Sequence, residues 1–239
     1  MENLPVFIPV IFALTTALVT WLLFKATINS KVIVAIVLIW LGGQSILALT
    51  GFYTVTYTLP PRMLLLVMPP FVLIAVLFFT RQGRAFIDSL HPDFLTLVHV
   101  VRVPVELVLF WLFINGSVPK LMTFEGRNFD ILAGLSAPII YYFGFVRHRF
   151  PKGVIVGWNI LCLGLLLNIV INGILSVPTP FQQFGFEQPN TALLYFPFIW
   201  LPGFIVPLVL FSHLATIRQM LYYKSNVGSK SVHGPVSSL

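Results

Sequence analysis

The stretch His99-Val-Val-Arg102-Val-Pro104-Val-Glu106 carries three side chains able to do chemistry. Offsets of three and four put His99, Arg102 and Glu106 on one face of a helix. The apolar run that contains them extends over about 94–114, so Arg102 and Glu106 fall near the middle of a candidate bilayer span. Insertion scales place the cost of each such charge at roughly 2.5–3.5 kcal/mol. Pairing Arg102 with Glu106 lowers that cost. Pro104 has no N–H, which frees the carbonyl of Val100 as an acceptor for Arg102. Two readings follow. In one, the pair is a structural ion bridge that holds the bundle or fixes its register. In the other, the face borders a cavity where Glu106 accepts a proton or cation and Arg102 binds an anionic group.

Other polar residues complete such a site. Asn168 and Asn172 are one turn apart in a later run, with Ser176 one turn further. Gln44 lies mid-run beside Gly42-Gly43, where missing side chains allow a neighbouring helix to come close. For each, interhelical hydrogen bonding competes with ligand contact. A second polar segment is Thr123-Phe-Glu125-Gly-Arg127-Asn128-Phe-Asp130. Asn128 suits a helix cap and Asp130 the positive end of a helix dipole. The alternative makes Glu125, Arg127 and Asp130 an outer-loop lid or recognition element.

Metal and cofactor chemistry finds little support. His91, His99, His148 and His213 have no ligand spacing on one helix, and no H-E-x-x-H occurs. His99 and His213 can face each other across a bundle, while His148 and His213 read more simply as interfacial basic residues. Cys162 stands alone, which excludes an internal disulfide. All six lysines lie outside the apolar runs, so retinal has no Schiff-base partner. Phosphate loop, dinucleotide fingerprint and nucleophile elbow are all missing. No metal and no cofactor is therefore expected.

The elements that position these residues follow from composition. Of 239 residues, 58% are apolar and 9% charged. A soluble domain carries about 25% charged residues. This excludes a soluble globular enzyme, a disordered chain and a nucleic-acid binder. Apolar runs at about 6–24, 32–50, 63–80, 94–114, 131–146, 154–175 and 192–212 predict an all-α transmembrane bundle of seven helices. The first run is preceded by Met-Glu-Asn-Leu-Pro, with no basic segment, and reads as a retained span. Residues 1–224 form a single transmembrane domain, and 225–239, rich in Ser, Gly, Val and Lys, a flexible cytoplasmic tail.

Basic residues alternate between loops. Lys25, Lys31, Arg81, Arg84, Arg147, Arg149, Lys152, Arg218, Lys224 and Lys230 fall on one side, and Arg62, Lys120 and Arg127 on the other. The positive-inside rule then predicts the N-terminus outside and the C-terminus in the cytoplasm. Tyr53, Tyr57 and Tyr195 fall near outer ends, with Trp21, Trp158, Tyr222 and Tyr223 near inner ends. Trp40 and Trp200 fall mid-span and read as packing residues.

After the first helix, three span pairs share a grammar of outer Gly, Pro-bearing loop, mid-helix Pro and inner Arg. The sets are Gly51, Pro60-Pro61, Pro69-Pro70 and Arg81; Gly116, Pro119, Pro138 and Arg147; and Gly173, Pro178, Pro202 and Arg218. They suggest one helix plus three Pro-kinked hairpins. Discontinuous helices near the midplane are where transporters build binding sites.

The residues around Arg102 and Glu106, with Gly116-Ser-Val-Pro119, Phe124-Glu-Gly-Arg-Asn-Phe-Asp130 and Gly134-Leu-Ser-Ala-Pro138, resemble an uncharacterised family of bacterial multi-pass inner-membrane proteins. The resemblance covers residues 93–140 and implies a bacterial inner membrane, with no activity attached. Partners are membrane lipids and a small-molecule ligand, with no nucleic acid. Three functions compete: a carrier or channel using Glu106 and Arg102, a membrane enzyme acting on a lipid or isoprenoid, and a non-catalytic subunit or sensor.

Overall fold

The computed structural model describes residues 4–229, with side chains through 221. Among these residues every regular element is helical. Helices α1 (Phe7–Ala26), α2 (Lys31–Leu49) and α3 (Leu64–Phe79) are followed by the short α4 (Arg81–Ser89). Helix α5 (Pro92–Leu97), a 3-10 turn (Val98–Val101) and α6 (Arg102–Ile114) together make one rod. Helix α7 (Asp130–Ile140) ends in a π turn (Tyr141–Val146) and is followed by α8 (Lys152–Ile174). A π turn (Leu201–Ile205) opens α9 (Val206–Ser229).

Five helical stretches are long and apolar enough to cross a membrane, or six if α3 and α4 count as one bent span. Side-chain exposure agrees with that reading. On α2, Val32, Ile36, Ile39 and Ile46 are each more than half exposed and form one apolar stripe. Water would penalise that stripe at about 25 cal/mol per Å², whereas lipid does not. The chain is a multi-pass membrane protein.

The α5–α6 rod is central. It packs against α1, α7 and α9, while α8 closes against α7 and α9. Helix α2 leans on α1 and the π turn, and α3 on the π turn and α9. At one end the loops 115–129 and 175–200 lock together: Gln188 Nε2 donates to the carbonyls of Phe113 (2.8 Å) and Val118 (2.6 Å). The backbone N–H groups of Thr191 and Ala192 both donate to the Ser117 carbonyl. At the other end Arg218 makes a two-pronged contact with Asp88 (3.0 and 2.8 Å). There too Gln219 Nε2 donates to the carbonyls of Ile87 and Leu90.

Sequence expectations change at several places. The run at 192–212 is not one helix. Helix resumes only at Leu201, because Pro197 has no N–H and disfavours helical backbone at Phe196. The apolar residues Leu194, Phe198 and Ile199 are instead buried within protein. Pro202 therefore opens the last helix rather than kinking its middle. Arg81 and Arg84 lie not in a loop but on α4, which turns 95° from α3. Gly42 and Gly43 have open space where a side chain would be, so no neighbour within the chain approaches them. The tail assigned to 225–239 continues α9 for its first five positions, and 230–239 lie outside the described residues.

Prolines leave marks where their missing N–H frees a carbonyl. Gly203 would receive its α-helical hydrogen bond from residue 207, which is a proline. The indole N–H of Trp40 donates to that carbonyl at 2.9 Å. In return the Trp200 indole donates to Ser45 Oγ (3.0 Å) and the Leu41 carbonyl (3.3 Å) on α2. The two mid-span tryptophans thus bond as well as pack.

Gly134 fixes how close α7 comes to α6. A Cβ there would stand 2.8 Å from Val103 Cγ2 and 3.0 Å from the Val103 nitrogen. Gly134→Ala is expected to lower stability by about 1–3 kcal/mol through overpacking. Gly157, with open space around it, supplies the control: Gly157→Ala is neutral or stabilising by up to about 1 kcal/mol. Thermal unfolding of both variants in detergent checks the contrast.

Candidate functional site

Helix α6 begins with Arg102, and His99 lies in the 3-10 turn just before it. His99, Arg102 and Glu106 are all buried, at 0%, 3% and 2% exposure. The partner of Arg102 is not Glu106. Its Nη1 lies 3.5 Å from Asp130 Oδ1 and donates to the Cys162 carbonyl at 3.3 Å. Its Nη2 lies 3.1 Å from His213 Nε2. The Val100 carbonyl takes no part in holding the guanidinium. Asp130 opens α7, Cys162 lies on α8 and His213 on α9, so one side chain ties four helices together.

Hydrogen-bond chemistry sets the state of His213. A guanidinium has donors only, so Nε2 must accept. The ring is then neutral with its proton on Nδ1. That N–H donates to Asn159 Oδ1 at 2.8 Å, and Asn159 Nδ2 donates to the Ile155 carbonyl. His99 stacks on His213 with centroids 3.8 Å apart and planes within 18°. Trp158 packs edge-on against His99 and donates its indole N–H to Ser136 Oγ. Neither ring nitrogen of His99 has a protein partner.

Glu106 belongs to a second, connected arrangement. Its Oε1 accepts from Asn128 Nδ2, and its Oε2 has no protein partner. The same Asn128 amide donates to the Met122 carbonyl (3.0 Å), and Asn128 Oδ1 accepts from the Asp130 N–H (3.1 Å). Asn128 therefore caps the start of α7, as its position suggests, and also holds Glu106.

Glu106, Asn128, Asp130 and Asn190 border a cavity of about 100 Å³. Its remaining walls are apolar, from α3, α6, α8 and the start of α9. Val67 and Phe71 on α3 and Val170 and Ile174 on α8 are partly or largely exposed, so the mouth lies between these helices and faces the bilayer. Asn190 donates to the Gly173 carbonyl, which leaves its Oδ1 without a partner. Two buried oxygens, Glu106 Oε2 and Asn190 Oδ1, thus lack partners beside one space. Comparison with protein families, curated proteins and solved structures found no match.

The sequence-derived residues separate into groups. Arg102 and His99 meet at His213, Asp130 pairs with Arg102 and also borders the cavity, and Glu106 faces the cavity. Asp130 opens α7, where its charge suits the helix dipole, and is buried beside Arg102 rather than forming part of an outer-loop lid. Glu125 stays at the surface near Lys120, and the Arg127 guanidinium lies over the Phe184 ring. Asn168 donates to the Arg127 carbonyl at 2.8 Å, and Asn172 donates back to Asn168. Neither asparagine lines the cavity. Gln44 accepts from the Tyr53 hydroxyl at 2.5 Å in a separate apolar cluster.

His99 and His213 do face each other, but His213 is buried rather than interfacial. Asn159 and Asn190 were missed. The available signal for Asn159 was its place on one helix face with Cys162 and Leu166, at offsets of three and seven. Among the described residues, no group of three or more His, Cys, Asp or Glu is placed to hold a metal ion.

Removing one member of a buried ion pair strands the other, which costs about 3–5 kcal/mol. Arg102→Met and Asp130→Leu should each cost about that amount. The double variant should lose less than Arg102→Met alone, because no charge is stranded. A double-mutant cycle on unfolding in mixed micelles measures this.

Proposed function

We propose that the protein is a small-molecule or ion carrier with Glu106 as its binding group. The observation that carries this reading is the buried Glu106 Oε2, without a partner, on a cavity that opens toward the membrane. The carboxyl group holds either a proton or a cationic, hydrogen-bond-donating group. Exchange of one for the other couples their movement. Asn190 Oδ1 supplies a second acceptor. Arg102 is not the anion-binding partner considered at the outset, because its terminal nitrogens are committed to Asp130, Cys162 and His213.

Proline-bearing helical segments flank the cavity, and discontinuous helices are where carriers commonly build their sites. Pro69-Pro70 lie inside the continuous helix α3 beside Phe71, and the π turn with Pro202 also lines the cavity. On this reading seven helical segments cross the bacterial inner membrane, with α3 and Asp130–Val146 as the shorter ones. The N-terminus lies outside and the C-terminus in the cytoplasm. Support comes from the distribution of basic residues. Lys25, Arg84 and Arg218 lie at the end where α4 meets α9, and Lys120 and Arg127 at the end closed by the two loops. The bacterial setting rests on the resemblance in residues 93–140.

A second reading is a membrane enzyme acting on a lipid or isoprenoid, with Glu106 and Asp130 as acid and base. It is favoured by both carboxyl groups bordering one cavity. A chemical change in the lipid pool that requires Glu106 would select it.

Proteoliposomes with an imposed pH gradient test the carrier. Primary-ammonium and alkali-cation probes are added outside, and an internal pH dye reports proton exchange. Glu106→Gln should lower the exchange rate at least tenfold while the protein still inserts and melts cooperatively. Unchanged exchange in a folded Glu106→Gln protein sinks the proposal.

A further inference from the structure

A larger recess lies away from Glu106, between α1 and α2. It encloses about 550 Å³ and is lined by Thr20, Trp21, Phe24, Lys31, Leu38 and Trp200, among others. The threonine hydroxyls on its wall are already satisfied. Thr16 Oγ1 donates to the Phe12 carbonyl (3.0 Å), and Thr20 Oγ1 to the Thr16 carbonyl (2.9 Å). The Trp200 indole N–H is also taken, by Ser45 and Leu41. The walls therefore ask for hydrocarbon, and the single polar demand is at the mouth, where Lys31 opens α2.

Its length has a counterpart in the bilayer. From Lys31 to Leu41 the recess follows ten residues of α2, which rise about 15 Å. One leaflet of a hydrocarbon core about 30 Å thick has that same depth. The mouth is basic on both sides. Lys25 Nζ sits 5.9 Å from the ring centres of Trp21 and Phe24, which line the recess. The N-terminal end of α2 adds its partial positive charge beside Lys31.

We infer that this recess binds one anionic phospholipid, with an acyl chain between α1 and α2 and the phosphate at Lys31 and Lys25. A second protein chain fits less well. A phospholipid answers both features at once, its phosphate the two lysines at the mouth and its acyl chain the apolar walls.

The test uses the full chain in nanodiscs made from equal parts of phosphatidylglycerol and phosphatidylcholine. Native mass spectrometry should find one retained phosphatidylglycerol per chain, preferred by about fivefold for each contributing lysine. Lys25→Gln with Lys31→Gln should abolish the preference. Tryptophan fluorescence provides a readout on the unaltered protein. Acyl-brominated phosphatidylglycerol should quench it more than brominated phosphatidylcholine at equal mole fraction, and Trp21→Phe should shrink the difference. Equal retention of both lipids, equal quenching, or a preference that survives the double substitution overturns the inference.

Discussion

The bundle is organised around one buried guanidinium. Arg102 cannot shed its charge, and the centre of a bilayer offers no water to satisfy it. Acceptors must therefore come from protein, and they come from three other helices: Asp130 from α7, the Cys162 carbonyl from α8 and His213 from α9. Much else follows from meeting that demand. Gly134 must lack a side chain so that α7 can lie against Arg102 and Val103. His213 must be neutral, and Asn159 must accept its remaining proton. Such a centre specifies which helices are neighbours more than it adds net stability.

Two kinds of information were legible in the sequence. Apolar run length located the helices well where no proline intervened beyond the first turn, as in α1, α2 and α8. Three- and four-residue offsets placed His99, Arg102 and Glu106 on one buried face. Partners across helices were not legible. Local spacing paired Arg102 with Glu106, but an Arg followed four residues later by Glu is the weaker orientation for a helix pair. Asp130, 28 positions away, became the counter-charge only through the tertiary fold. The seventh run misled for a related reason. Residues 192–200 are as apolar as a span, yet most of them are buried against helices of the same chain, and composition alone does not distinguish protein from lipid surroundings.

Asn128 connects the central charge to the cavity. Its amide and carbonyl reach Glu106, Met122 and the first N–H of α7. The Glu106 side chain is thereby joined to the helix that presents Asp130 to Arg102. The contacts are short-range and continuous, which is the minimum a coupled pair of sites requires.

The exchange of indole bonds between Trp40 and Trp200 has a different kind of consequence. Helix α2 exposes much of its surface, and these bonds join the Tyr53–Gln44 hydrogen bond and the packing on α1 in attaching it. The acceptor for Trp40 is available because residue 207 is proline. Restoring an N–H at 207 would return the Gly203 carbonyl to its own helix and leave the indole in competition for it. Tryptophan at 40 and proline at 207 are thus interdependent although they stand 167 positions apart. In diverging descendants of this chain they would be gained or lost together, as one heritable unit.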